Sequence, residues 1–249
     1  MKLDRTSTLP SYIQLANHLR EQIQTGTFGA GSQLPTEAEL VVSSKLSRIT
    51  VRRGLEILER EGLVVKRQGL GTFVRNPVTQ ELSAVRTMTE VLLEKGITPR
   101  VEVLNFGETV PPEGVRASMR IEPGDTLLRV ERLYFDRDEP IALVHIYLPP
   151  SIRNEAEPLR RGDTPVETTF RIWEKKLGVR LKSARYTIRA ARAGEAEAKA
   201  LALAIGDPVL IVDRVTYADD GRPLEHLVFH HRAERYEFSV TVPRIASVR

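Results

Sequence analysis

Arg48, Thr50, Arg52 and Arg53 crowd one short stretch, Ser47-Arg48-Ile49-Thr50-Val51-Arg52-Arg53, in a chain of 249 residues. The chemistry open to such a set is hydrogen bonding to nucleic acid. Arg48 and Arg52 stand four apart, so on a helix they share a face, and a guanidinium there can grip O6 and N7 of a guanine with two parallel bonds. Ser47 and Thr50 are short donors suited to phosphate, helped by the free amides of a helix start. Arg53 and Lys45 fit as phosphate neutralisers. Each could equally be a solvated surface charge.

Other chemistries find less material. Gly-x-Ser-x-Gly, a Walker-type glycine loop and His-Glu-x-x-His are all missing from the sequence, so no catalytic residue is expected. His145, His226, His230 and His231 invite a metal. On a strand, however, His226 and His230 would stand ~13 Å apart, too far for one ion. No metal and no cofactor are expected.

The elements that must position the basic stretch are legible around it. Val51, Leu55 and Leu58 recur on one helical face, so a helix from Ser47 to about Glu61, stopping at Gly62, is anchored by one side and free to read with the other. Before it, Ser11-Tyr12-Ile13-Gln14 has the form of a capping box, with Tyr12, Leu15, Ala16, Leu19 and Ile23 at helical spacing up to Gly26. Thr36 and Glu39 form a second box opening a short helix. After it, Leu63 to Lys66 and Thr72 to Arg75 are strand-like runs around a glycine-bearing tip at Arg67-Gln68-Gly69-Leu70-Gly71. Three helices and a hairpin in this order make a winged helix-turn-helix, whose reading helix lies in the major groove.

Composition agrees with that assignment. The net charge of +4 sits entirely in the first 78 residues, which hold 11 Lys+Arg against 7 Asp+Glu, while the remainder balances at 26 against 26. The first segment is therefore expected to meet a polyanion. With no cysteine, no disulfide framework or thiolate site is possible. The amino terminus lacks a signal-peptide core and no run reaches the ~20 apolar residues of a membrane span. A cytoplasmic protein that does not meet the membrane is expected.

Residues 76–82, with Asn76-Pro77, suggest a linker. Beyond it a second domain begins near Leu82, and the pattern predicts a helix carrying Val85, Met88, Leu92 and Lys95 that ends at Gly96, a strand from Val101 to Glu108, a helix from Glu113 to Arg120, and strands over 126–135 and 141–148. A helix from Pro165 to Leu177, a strand from Lys182 to Ala191, a helix from Glu195 to Ala204 and a last strand from Tyr236 to Val242 follow. Within this half, Gly124-Asp125-Thr126-Leu127-Leu128-Arg129-Val130-Glu131-Arg132 parallels Gly206-Asp207-Pro208-Val209-Leu210-Ile211-Val212-Asp213-Arg214. Each copy follows a helical run and leads into a hairpin, implying an antiparallel sheet with helices on one face.

Five spaced motifs carry a family resemblance: Leu9 to Ala16, Leu34-Pro35-Thr36-Glu37, Ser47 to Arg52, Glu61-Gly62-Leu63, and Gly69 to Val74. Residues 1–75 resemble the DNA-binding domain of the GntR family of bacterial transcription regulators. The resemblance implies base and phosphate readers at Arg48, Thr50 and Arg52 and, in the wing, at Gln68 and Gly69. Where the family usually has an arginine after the glutamate of its second helix, this chain has Ala38, so one common DNA contact is missing. Residues 83–249 resemble the UTRA effector-binding domain of the HutC subgroup, through Arg132-Leu133, Asp138 to Leu143 and Arg232 to Phe238. The fold class implied is α+β: an N-terminal winged helix-turn-helix plus a C-terminal antiparallel-sheet, chorismate-lyase-like domain.

That resemblance further implies a homodimer on a palindromic operator in double-stranded DNA, a repressor, and a small-molecule effector. The family's pocket positions fall on Thr89, Arg132, Tyr134, Thr168, Phe170, Glu225 and His231, while a further glutamate position holds Val144. One pocket arginine and one glutamate are thereby lost, which weakens the case for a phosphosugar, yet Arg132 suits a carboxylate or a single phosphate. An anionic metabolite is expected. Arg132 could instead be a structural ion pair with Glu131 or a turn aspartate. A rival from another class is a lyase-like enzyme in which Arg132 and Glu225 polarise a small acid, and fold alone does not transfer such chemistry.

Overall fold

The computed structural model describes residues 9–67, 69–75, 77–161 and 167–244. The chain divides into two compact units, residues 1–77 and 78–249.

In the first unit α1 (Ser11–Gln24), α2 (Glu37–Ser44) and α3 (Arg48–Arg60) are followed by a hairpin of β1 (Val64–Arg67) and β2 (Gly71–Val74). This is the winged helix-turn-helix. Its core joins Leu15 and Leu19 of α1, Leu40 of α2, Val51, Leu55 and Leu58 of α3, and Val64 and Val74 of the hairpin. Each such buried side chain contributes about 1.5–3 kcal/mol, enough to hold α3 by its apolar stripe.

The capping box of Thr36 and Glu39 is formed. That of Ser11 and Gln14 is not: Pro10 occupies the N-cap position, and the Gln14 amide reaches back to the Leu9 carbonyl at 2.9 Å. A proline with extended ψ already opens the helix, which leaves Ser11 inside the first turn. At the other end of α3, Gly62 takes φ +71°. Its N–H reaches the Glu59 carbonyl at 3.0 Å while Leu63 N–H reaches that of Leu58 at 2.9 Å, the paired bonds of a Schellman stop.

Gly54 lets α1 and α3 approach closely. A Cβ there would stand 3.0 Å from Leu15 Cδ2 and 3.1 Å from the Tyr12 carbonyl oxygen. Gly54→Val is therefore expected to overpack this crossing and destabilise the first unit by about 1–3 kcal/mol. Denaturant unfolding checks this; a variant as stable as the parent would mean that the crossing has slack.

The second unit begins with β3 (Val78–Glu81), then α4 (Met88–Glu94), β4 (Arg100–Thr109), α5 (Glu113–Met119), β5 (Leu127–Asp136) and β6 (Glu139–Leu148). Short turns of helix over 150–160 include α6 (Arg153–Ala156). Next come α7 (Thr169–Arg171), continued as a π-helical turn Ile172–Lys176, β7 (Leu181–Arg192), α8 (Glu195–Leu201), β8 (Pro208–Ala218), β9 (Pro223–Arg232) and β10 (Tyr236–Ser239). Six strands form one antiparallel sheet in the order β4-β5-β6-β9-β8-β7.

That order is a duplication. The unit β4-α5-β5-β6 meets its copy β7-α8-β8-β9 along the β6–β9 seam, so the sheet reads the same from either edge. The turns that open the two hairpins match, with Gly124 at φ +93° and Gly206 at φ +91°. The sequence repeat makes Arg132 and Arg214 counterparts, each on the central strand of its copy.

Each sheet face has its own cover. On one, α5 sets Val115 and Met119 against Leu127 and Tyr147, and α8 sets Ala198 and Leu201 against Leu133, Leu143 and Val209. On the other, Val130, Tyr134, Val144, Val212 and Phe229 pack with α4, Leu159, Ile172, Trp173 and Tyr236.

Several sequence expectations change here. Residues 78–81, expected within a linker, are a strand that pairs in parallel with β10; the partner lies 158 positions away, beyond any local pattern. The helix expected to include Val85 starts only at Met88, where Thr87 and Glu90 form a capping box. Of the helix expected from Pro165, residues 165–166 lie outside the described residues, and the observed helix starts at Thr169. α8 ends at Leu201, before the expected Ala204, because Ala202 turns left-handed with φ 52°.

Candidate nucleic-acid interface and effector site

Ser47 caps α3: its Oγ accepts from Thr50 N–H at 3.2 Å and shares a hydrogen with Thr50 Oγ1 at 2.8 Å. The two short hydroxyls thus hold each other and fix where the helix begins. Arg48 and Arg53 are exposed, and among the described residues neither makes a hydrogen bond or ion pair. Lys45 ends α2 in a left-handed conformation, φ 56°, with its side chain exposed. Arg52 is different: its Nε and Nη2 donate to the two oxygens of Glu37 at 3.1 Å each. The Arg52 hydrogen bond lowers the Glu37 carboxyl pKa, with the charges of Arg52 and Arg48 adding to it.

Ile49 stands between the arginines at 72% exposure, an apolar side chain that the sequence reading passed over. Gly69 lies exposed in the wing turn with φ +74°. Gln68, the other expected wing contact, lies outside the described residues.

In the second unit the seven expected pocket residues do not converge as one set. Thr89 and Tyr134 are buried in the domain. Thr168 caps α7, accepting from Arg171 N–H at 3.4 Å. Among the described residues Arg132 pairs with neither Glu131 nor a turn aspartate: Nη2 and Nε donate to the Leu159 carbonyl at 2.6 and 3.2 Å, and Nη1 to that of Glu167 at 3.2 Å. Its guanidinium holds the 159–167 segment against the sheet.

Its counterpart Arg214, missed in the sequence reading, is the centre around which three expected residues do gather. Arg214 Nη2 donates to Glu225 Oε1 at 3.1 Å, and both side chains are buried, at 2% and 0% exposure. Thr216 Oγ1 donates to the same oxygen at 3.0 Å and Trp173 Nε1 to Oε2 at 3.3 Å. Arg214 Nη1 donates to the Arg86 carbonyl at 2.7 Å, and Phe170 lies under the guanidinium at 5.0 Å. His231 stacks on Tyr236 with ring centroids 3.8 Å apart, and burial, then the charge of His230, lowers its pKa to about 3. The Tyr236 hydroxyl donates to Gln80 Oε1 at 2.7 Å. The one signal for Arg214 was its place in the repeat opposite Arg132.

Between these groups lies a cavity bounded by Gln80, Arg86, Tyr186, Arg214, His231 and Phe238, with about 10 Å³ of free space. Arg214 Nε, His231 Nδ1 and the Tyr186 hydroxyl, buried atoms of three lining residues, have no hydrogen-bond partner among the described residues.

His145, His226 and His230 lie on the opposite face of the sheet. His226 bonds Ser118 Oγ at 2.6 Å and Asp213 Oδ1 at 3.0 Å. The rings of His145 and His230 stand 5.2 Å apart. Among the described residues no three metal-type side chains are grouped to hold an ion, and no helix is long and apolar enough to cross a membrane.

Known proteins bear on both units. Residues 11–74 match the model of bacterial regulatory proteins of the gntR family, and residues 94–237 match the UTRA domain. The chain is 47% identical over 245 residues to the HTH-type transcriptional regulator Rv0792c of Mycobacterium tuberculosis, covering 98% of this chain and 90% of that one. It is 26% identical to the HTH-type transcriptional repressor NagR of Bacillus subtilis, over 99% and 100% of the two chains. The crystal structure of PhnF from Mycobacterium smegmatis, 21% identical, shares the fold with a TM-score of 0.61 over 92% of this chain and 99% of that one. The gntR family and the two relatives Rv0792c and NagR are regulators of transcription, which leaves the lyase alternative without support. The chain belongs to the GntR family of bacterial transcription regulators, as a member whose DNA-binding domain is followed by a UTRA domain.

Proposed function

We propose that this regulator is a cytoplasmic repressor that binds a palindromic operator as a homodimer and changes its grip when the second domain takes up a small metabolite. The observation that carries the DNA half is the outer face of α3: a capped amino end presenting Arg48, Arg52 and Arg53 on a helix anchored by the opposite side. Two such helices related by a twofold axis would read two half-sites of the operator. Arg48 reads a base edge, Ile49 is placed to cover a thymine methyl, and Lys45 and Arg53 neutralise phosphates. Ser47 and Thr50 present the helix start to a phosphate. Gln68 and Gly69 carry the wing contact in this reading.

The expectation of an anionic effector has a narrower footing than the sequence suggested. Arg132 is occupied by two carbonyls and Arg214 by a carboxylate, so an anion would have to displace a partner from either one.

Selection from a random duplex library with the full-length protein tests the DNA half. A palindromic site should emerge, and Arg48→Ala should weaken it by about 1–3 kcal/mol while relaxing preference at one base pair in each half-site. Arg53→Ala should weaken all sequences alike and reduce the salt dependence. Arg52→Ala should cost less than Arg48→Ala, since Glu37 competes for that guanidinium, and Glu37→Gln should tighten binding. Selection without a palindrome, or an Arg48→Ala variant with unaltered affinity and preference, would overturn the assignment.

A further inference from the structure

We propose that the cavity between Gln80, Tyr186, Arg214, His231 and Phe238 is the recognition subsite of the second domain, and that it takes a small, planar, uncharged molecule bearing a carbonyl-type acceptor and an adjacent N–H or O–H. The proposal rests on the reading that this domain is effector-responsive, and it names the ligand class.

The first support is the unmet hydrogen bonding. Arg214 Nε, His231 Nδ1 and Tyr186 OH come from three neighbouring strands, each on a residue that lines one cavity and each buried without a partner among the described residues. A buried polar atom left unpaired costs free energy, so three around one space define a place for a molecule that pairs with them. Arg214 Nε–H requires an acceptor, and the tyrosine hydroxyl and a neutral imidazole each accept or donate.

The second support is charge. The lining carries two cations, Arg86 and Arg214, and each already has a carboxylate: Glu94 for Arg86, Glu225 for Arg214. Glu225 is completely buried and tied to Thr216 and Trp173, so it cannot swing away to admit an anion. A ligand with a full negative charge would meet that carboxylate at close range in a medium of low polarity. An uncharged molecule meets no such repulsion. The walls favour a flat body, since Phe229, Phe238, Tyr186 and His231 present rings and Met88 and Val212 aliphatic surface.

The third support is the movable wall. The free space, about 10 Å³, is no more than the room one water needs, and a ring enters only if one side gives. Gln80 and Phe238 form that side and are register partners in the ladder of β3 and β10, a two-stranded sheet of four-residue strands. β3 is also the first element after Pro77, where the DNA-reading unit ends. A ligand that displaces Phe238 therefore moves the strand that leads directly to the reader.

The test uses the full-length protein and the emission of Trp173, the only tryptophan in the chain, whose indole N–H is bonded to Glu225. Benzamide is titrated as the uncharged probe, with benzoate as its anionic counterpart and inorganic phosphate as a small anion. Benzamide should give a saturable change with a dissociation constant on the order of 1 mM, as its size supports. Benzoate should bind at least tenfold more weakly, and phosphate should give no saturable change. Tyr186→Phe should weaken benzamide severalfold, and Val212→Phe should abolish the response by filling the space. Benzoate or phosphate equalling benzamide would overturn the proposal, as would silence with benzamide or an isotherm unmoved by Tyr186→Phe. Operator binding is measured on the same preparations. Silence towards benzamide with operator binding intact defeats the cavity assignment alone, whereas loss of specific operator binding defeats the regulator reading.

Discussion

Glu225→Ala should lower the stability of the second domain by about 3–5 kcal/mol, because it leaves the guanidinium of Arg214 buried without its counter-charge. Three donors converge on this one carboxylate, from Arg214, Thr216 and Trp173, and the replacement strands all of them at once. Water cannot easily substitute, since Glu225 and Arg214 are 0% and 2% exposed. Glu225→Gln should be milder, because its amide oxygen still accepts from the arginine while only the charge is lost. Replacing the pair together, as Arg214→Met with Glu225→Leu, should recover much of the loss, since a buried ion pair adds little over packed apolar groups of similar size. Equilibrium urea unfolding followed by Trp173 emission reads all three variants. A loss under about 1 kcal/mol for Glu225→Ala would mean that water reaches Arg214, against its burial at 2% exposure.

Acidification should be the second large effect, with stability falling from about pH 6.5 downwards. Burial, then the neighbouring His145 charge, lowers the pKa of His230 to about 4, and burial lowers that of His231 to about 3. In the unfolded chain both titrate near 6.5. Below that pH the unfolded state binds protons that the folded state refuses, so stability is full above the unfolded pKa and is lost as pH falls towards the folded values. At pH 5 each histidine contributes roughly 2 kcal/mol of loss, about 4 kcal/mol for the pair. His226, whose pKa burial also lowers, adds in the same direction. His231→Phe keeps an aromatic ring between Phe229 and Tyr236 and should remove roughly half of the loss between pH 7 and 5. A parent protein whose urea midpoint is flat over that range would contradict the burial of these imidazoles.

Glu225, Arg214 and His231 lie on the sheet face that carries the proposed ligand subsite, while His230 and His226 lie on the other. Ligand binding there should protect the folded state in proportion to its concentration, so an occupied cavity would oppose the acid loss that the empty one suffers.

Much of this protein was legible in its sequence because the signals are local. Helix periodicity placed Val51, Leu55 and Leu58 inside and Arg48 and Arg53 outside, and Thr36 with Glu39 capped α2 as their spacing requires. The glycine after α3 stopped it in a left-handed turn. The repeated Gly-Asp segments forecast two equivalent hairpins, and the six-stranded order with its central β6–β9 seam is the form that duplication takes. The structure alone decided whatever depended on partners distant in the chain. No local pattern pairs Val78–Glu81 with Tyr236–Ser239, so a strand passed for a linker. Arg52 looked as free as Arg48 until α2 brought Glu37 within 3.1 Å of it. Arg132 looked ready for a ligand, yet it holds the carbonyls of residues 159 and 167. Its counterpart Arg214, with Tyr186 from the edge strand, turned out to face the cavity. Residue type and spacing set which groups can bond and which face of an element they share. Burial and the supply of competing partners set which of those bonds form, and both are properties of the packed chain.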